Sequence, residues 1–345
     1  MDSTPQLLAR VRRPVIVDTD LSFDDYVALL YLFQQPAIDV RAITVANGVA
    51  HVKPGIENVR RLLSLVGRSD IPVAGGPDKP LAGQHAFPAS WRLPIDFIPR
   101  LMLPKAQSVP LGLSAPDLIR QQIVASDVPL SFVALGPLTN LALALRADPA
   151  LASRIDTIFI SGGAIYVPGT VHRDVPANPN TVAEWNLYID PVAADIVFGS
   201  GARLVLVPMD VTHVDGPRPL LFGRDFVRRL AAAACGRPAR LMVRFIRIWQ
   251  LMSPQFQATP VWDAVSAAIV ADPTIGRDWR DLALHLITQP EQLAGQAVVD
   301  ADRPANTRVC LEGDQTAFEV AYLTTVRGPS DRLTASGQRK NDTSL

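Results

Sequence analysis

The chain has 345 residues, 48% apolar and 19% charged, enough to bury one large α/β core or two ordinary ones. Its 33 basic residues match its 33 acidic ones, which excludes a global field that would draw it to nucleic acid or an anionic membrane and favours a small-molecule partner. Cys235 and Cys310 fit no metal or redox spacing, and the opening MDSTPQLLARVRRP lacks the apolar stretch of a signal peptide, so a cytoplasmic protein without disulfides is expected.

Short runs rich in valine and isoleucine predict strands at VIV (15–17), RAITVA (41–46), IPVAGG (71–76), LSFVAL (130–135), IDTIFISGG (155–163) and RLVLVPMD (203–210). Helical spacing falls between them, at Tyr26–Gln34, Ile56–Val66, Leu118–Ala125, Leu138–Arg146 and Pro191–Phe198. Strand alternating with helix predicts a single α/β domain with a mostly parallel central sheet flanked by helices, and ligands bound beyond the carboxyl ends of the strands. Residues 80–112 are rich in proline without clean periodicity and predict an irregular loop. Its interleaved Phe87, Trp91, Phe97 and Met102 suggest a cover for substrate rather than disorder. The catalytic domain is expected over 12–326, with an N-terminal extension at 1–11 and a polar, disordered tail at 327–345.

The stretch VIVDTDLSFDDYVALL (15–30) holds Asp18, Asp20, Asp24 and Asp25 directly after the first strand. Alternation along the strand aims Asp18 and Asp20 the same way. Ser22 can cap the following helix and place Asp24 and Asp25 in its first turn, where the macrodipole favours negative charge. That accounts for two carboxylates; four repel one another unless a cation intervenes, and an all-oxygen donor set suits Ca²⁺ or Mg²⁺. A solvated helix cap with incidental aspartates is the plainer alternative.

The aspartate turn resembles the signature of the inosine-uridine preferring nucleoside hydrolase family. Four later segments are similar to that family in the same order: ALGPLTNLALAL (134–145), SGGA (161–164), AEWNLYIDPVAADIVF (183–198) and VWDAVSAAIVADP (261–273). The resemblance implies a Ca²⁺-dependent N-ribohydrolase that frees base and ribose from a nucleoside, built as a homodimer or homotetramer. It implies Ca²⁺ on the carboxylates of Asp20, Asp25 and Asp263 and the main-chain oxygen of Thr139, Asp20 as general base, Asp18 orienting ligands, and Asp24 holding substrate. Glu184 and Asn186 match the ribose-contacting pair and Asn178 a further polar contact. Asn and Glu suit that task, since sugar hydroxyls need both donors and acceptors.

The sequence departs from the family pattern in several places. Leu21-Ser22 stand where Pro-Gly is common, Asn47-Gly48 reverse the usual Gly-Asn with Asn47 kept as an expected ribose contact, and Ser161 replaces a frequent Met. Trp262 takes the place of a histidine that serves many relatives as leaving-group acid, and an indole N–H does not titrate near neutrality. Replacements for that acid are His85 and Trp91, with His51 and Tyr188 behind them, or stacking of the base on an aromatic ring. Two other readings are an aspartate-nucleophile, Mg²⁺-dependent phosphohydrolase, from the VIVDTD opening, and a non-catalytic nucleoside- or Ca²⁺-binding protein of the same fold.

Overall fold

A computed structural model describes residues 12–213, 218–252 and 258–328. Six parallel strands form most of the sheet: β1 (Arg13–Thr19), β2 (Ile38–Val45), β3 (Val73–Gly75), β4 (Leu130–Ala134), β5 (Ile155–Ser161) and β6 (Leu204–Val207). They are followed by the short antiparallel pair β7 (Leu221–Phe222) with β8 (Thr259–Pro260), edge strand β9 (Gly276–Leu282), hairpin β10 (Leu284–Leu286) with β11 (Ala297–Val299), and β12 (Thr307–Gly313). The eight-stranded sheet runs β3-β2-β1-β4-β5-β6-β12-β9, and β9 is antiparallel to its neighbour. Every residue of β4 and β6 is buried, as expected of strands covered on both faces and consistent with their unbroken apolar runs.

The helices are α1 (Phe23–Phe33), α2 (Val52–Val66), α3 (Ala89–Met102), α4 (Ala115–Ala125), α5 (Thr139–Ala147), α6 (Val171–Asp174), α7 (Trp185–Ile189), α8 (Pro191–Phe198), α9 (Arg224–Ala233), α10 (Gly236–Met252), α11 (Trp262–Ala271) and α12 (Gln315–Arg327). One apolar core joins α1, α2, α10, α11 and α12 against the sheet, and a second joins α4, α5 and α8. Strand order reverses between β1 and β4, and at that switch point the turns leaving the two strands open the crevice where α/β sheets bind ligands.

The expected irregular loop at 80–112 is corrected by α3, which occupies its middle. Pro94 and Pro99 lie inside that helix and remove two of its N–H donors. The Ile95 carbonyl, which Pro99 cannot serve, accepts instead from Asn58 Nδ2 at 3.5 Å, and the Asp96 carbonyl does so at 3.3 Å. Apolar side chains stand on both sides of α3, with Leu93, Phe97 and Leu101 exposed and Ile95 buried, so no apolar period reveals it. The expected extension at 1–11 lies outside the described residues. Of the expected tail, Arg327 ends α12 and Gly328 follows it, and the remainder lies outside them too. Among the described residues no helix is long and apolar enough to cross a membrane.

Candidate active site

β1 sends Asp18 into the protein and the next aspartate, Asp20, to the strand's exit. Asp18 Oδ1 accepts from Thr44 Oγ1 at 2.6 Å and Asn140 Nδ2 at 2.8 Å, while its buried Oδ2 has no partner. Burial pushes this carboxyl up to about 7. Asp20 Oδ2 accepts from the Val49 N–H at 2.8 Å, and its carbonyl from the Ala50 N–H at 2.8 Å. Two loops close on it as only glycine permits: a Cβ on Gly48 would lie 2.0 Å from Asp20 Oδ2, and one on Gly136 would lie 2.9 Å from Asp20 Cβ.

The turn then passes through the left-handed region at Leu21, φ 58°, a conformation strained for a leucine and held by its N–H on Thr19 Oγ1 at 3.1 Å. Ser22 begins α1, and its N–H donates to Asp25 Oδ2 at 2.7 Å, half of a capping box. Its hydroxyl donates to Asp24, and that of Thr19 to Asp25. Asp263, on the first turn of α11, donates its N–H to Asp24 Oδ2 at 3.3 Å.

Side-chain oxygens of Asp24, Asp25 and Asp263 thereby lie within 4.8 Å of one another. Burial above all, and the charges of their neighbours, raise the carboxyls of Asp20 and Asp263 well above the usual range and carry Asp25 to about 7. Burial raises Asp24 as well. Three buried, mutually repelling carboxylates that offer only oxygen donors fit a hard divalent cation.

The cluster opens into a cavity of about 220 Å³. Asp20, Asp24 and Asp263 line it together with Glu184, Asn186, Trp91, Trp185, Trp249 and Trp262. Glu184 caps α7 with Oε1 on the Asn186 N–H at 2.8 Å, while Oε2 accepts from the Gly163 N–H at 2.8 Å. Burial raises its carboxyl. Asn186 Nδ2 donates to the carbonyls of Leu135, 3.1 Å, and Ser161, 3.0 Å.

Several expected site residues are engaged outside the lining. Asn47 Oδ1 accepts from buried Arg92 at 2.6 Å. Asn178 Nδ2 donates to the Tyr188 hydroxyl at 2.8 Å. The His85 ring stacks on Tyr188 at 4.2 Å, donates from Nδ1 to the Tyr188 carbonyl at 2.6 Å and sets Nε2 3.0 Å from Glu291. Thr139 begins α5 with its hydroxyl on Asp190 Oδ2 at 2.7 Å; the residue of that loop that lines the cavity is Leu135. Sequence reasoning missed Leu135, Trp185 and Trp249. Trp185 stands between the two polar residues of AEWN and was legible there, but Trp249, far along α10, carries no motif.

The family model described as inosine-uridine preferring nucleoside hydrolase matches residues 15–320. A pyrimidine-specific ribonucleoside hydrolase RihA of Shewanella sp. (strain ANA-3) is 32% identical over 89% of this chain and 93% of its own length. The RihA of Escherichia coli O9:H4 (strain HS) is 36% identical over 88% and 95%. Among solved structures, the plant nucleoside hydrolase PpNRh1 superposes with a TM-score of 0.78 at 26% identity, covering 92% of this chain and 99% of its own. An inosine-guanosine nucleoside hydrolase does so with 0.76 at 25%, covering 93% and 100%. The chain belongs to the inosine-uridine preferring nucleoside hydrolase family.

Proposed function

We propose that the chain hydrolyses the N-glycosidic bond of ribonucleosides, with Asp20 as general base and Ca²⁺ held by Asp20, Asp25 and Asp263. The observation that carries this reading is the convergence of buried Asp24, Asp25 and Asp263 beside a cavity whose lining also holds Asp20, Glu184, Asn186 and four tryptophans. Leu135, which lines the cavity, is the better source of a main-chain oxygen than Thr139. Asp24, Glu184 and Asn186 receive the ribose, and their acceptors and donors match its hydroxyls. A homodimer or homotetramer belongs to the same reading, supported by the exposed apolar side of α3.

In this mechanism a water attacks the anomeric carbon and gives its proton to Asp20, while the surrounding carboxylates favour the oxocarbenium-like charge on the sugar. Ca²⁺, when held by Asp20, Asp25 and Asp263, would supply Lewis acidity toward the water and the sugar hydroxyls. No histidine lines the cavity among the described residues, and His85 is tied to Tyr188 and Glu291, so the base leaves without imidazole help. It departs instead against the rings of Trp262 and Trp91, both in the lining. Replacing Trp262 by alanine is accordingly expected to lower kcat/KM by about 5- to 150-fold, the worth of one stacked base, with the melting temperature little changed. A variant within twofold of the parent would remove Trp262 from substrate binding.

The direct test is reducing-sugar release from a panel of purine and pyrimidine ribonucleosides, with added Ca²⁺ and after stripping with chelator. Release abolished by chelator and restored by Ca²⁺ supports the reading. No release by folded, Ca²⁺-loaded protein from any nucleoside overturns it, and phosphate release from phosphate esters would then favour the phosphohydrolase. The cavity argues against that outcome, since its lining sets five carboxylates against the lone cation Arg173, itself bound to Asp174.

A further inference from the structure

The charge of this protein is balanced overall but not along α10. That helix has 17 residues and no Asp or Glu. Ala239, Met242, Phe245 and Ile246 are buried beneath it, and Arg237, Arg240, Arg244 and Arg247 are exposed. Their spacing puts the four on one stripe, about 15 Å long at the rise of an α-helix. Among the described residues none of them makes an ion pair. Elsewhere on the surface arginines do pair, as Arg61 does with Glu57, Arg229 with Glu319 and Arg277 with Asp314. Like charges three and four residues apart destabilise a helix, so the stripe is a cost that the free protein bears unrelieved.

The four arginines border a groove of about 460 Å³, separate from the cavity described above. Its floor is apolar, with Leu65 from α2, Met102 from α3 and Val243 from α10 itself. We propose that this groove binds a nucleotide, its phosphates on the guanidinium forks and its base on the apolar floor. Guanidinium groups match phosphate oxygens in pairs, and a concave slot with a greasy floor suits a compact ligand that is anionic at one end and flat and apolar at the other. A flat membrane would meet the rim of such a slot and leave its floor uncovered.

The test titrates the full chain with ATP, AMP and inorganic phosphate at low and at near-physiological salt. It uses the Asp20→Asn protein saturated with adenosine, so that the catalytic cavity is filled. Saturable binding of one ATP is expected, weaker for AMP, weakened by salt, and reduced at least about tenfold when Arg240→Glu and Arg244→Glu are combined. In the otherwise unaltered enzyme that pair of changes should leave nucleoside hydrolysis as it is. Absence of saturable nucleotide binding, equal affinity in the double variant, or binding only of a long oligonucleotide or of anionic vesicles would each overturn the proposal. A single Arg244→Gln change serves if the double variant does not fold. It is expected to hold or raise the melting temperature while weakening ATP, and a marked fall would mean that the stripe is structural.

Discussion

Asp20→Asn is expected to lower nucleoside turnover at least about 10³-fold while the protein stays folded. Loss of a positioned general base alone costs about 10²- to 10⁴-fold, and this residue is also a proposed donor to the cation. The substitution keeps the shape of the side chain, and an amide oxygen can still accept from the Val49 N–H that now binds Oδ2. Burial and the charges of Asp25 and Asp24 already oppose ionisation at this position, so a neutral amide should hold or raise the melting temperature. Kinetics with the best substrate, beside a thermal melt, decide the matter. Activity within tenfold of the parent would remove Asp20 from catalysis, whereas inactivity with a collapsed melt would be referred to Asp20→Ala before any conclusion about chemistry.

Removal of divalent cations should abolish turnover and also change how stability depends on pH. Asp18 and Asp25 are raised from 3.8 to about 7 in the folded protein, and the other clustered aspartates are raised too. Their unfolded counterparts ionise near pH ~4, so between about 4 and 7 the folded chain carries more protons than the unfolded one. Stability of the stripped protein is then fully present below that window and is lost as pH rises through the folded values. A chelated sample should melt higher near pH ~5 than near pH ~8. Added Ca²⁺ should raise the melting temperature most at the alkaline end, where no proton competes for the carboxylates, and least at the acid end. A chelated protein that melts higher at alkaline pH would mean that the cluster is not held together by protons in the absence of metal.

The sheet was legible in sequence because parallel strands covered on both faces read as unbroken apolar runs, and all six such runs fall on β1 to β6. The last third was not. β9 carries exposed or half-exposed residues along most of its length, as an edge strand does, and the apolar run of β12, Val309 to Leu311, is short and flanked by Arg308 and Glu312. In the site, Asp20 and Asp24 line the cavity with Asp25 beside them, because strand exit and helix start are local geometry that charge spacing reports, whereas Asp263, distant in sequence, was expected only from the family resemblance. Asn47 and His85 instead make partners of Arg92 and Glu291, long-range choices that no short motif encodes, and Asn178 turns to Tyr188 ten residues on. Asn47 illustrates the cause well: its hydrogen-bond partner comes from α3, the one helix whose proline content and two-sided apolar pattern conceal it.

Asp24 and Asp263 meet through a contact that spans 239 positions of chain. Such an arrangement exists only after α11 has docked on α1 and the strands between have paired. The unfolded polymer has no comparable pocket, and a cation has nothing to grip during early collapse. Stabilisation by the ion would therefore arrive after the folding barrier has been crossed. It would lengthen the lifetime of the finished enzyme by slowing its opening, and it would leave the rate at which new molecules reach the native state as it was.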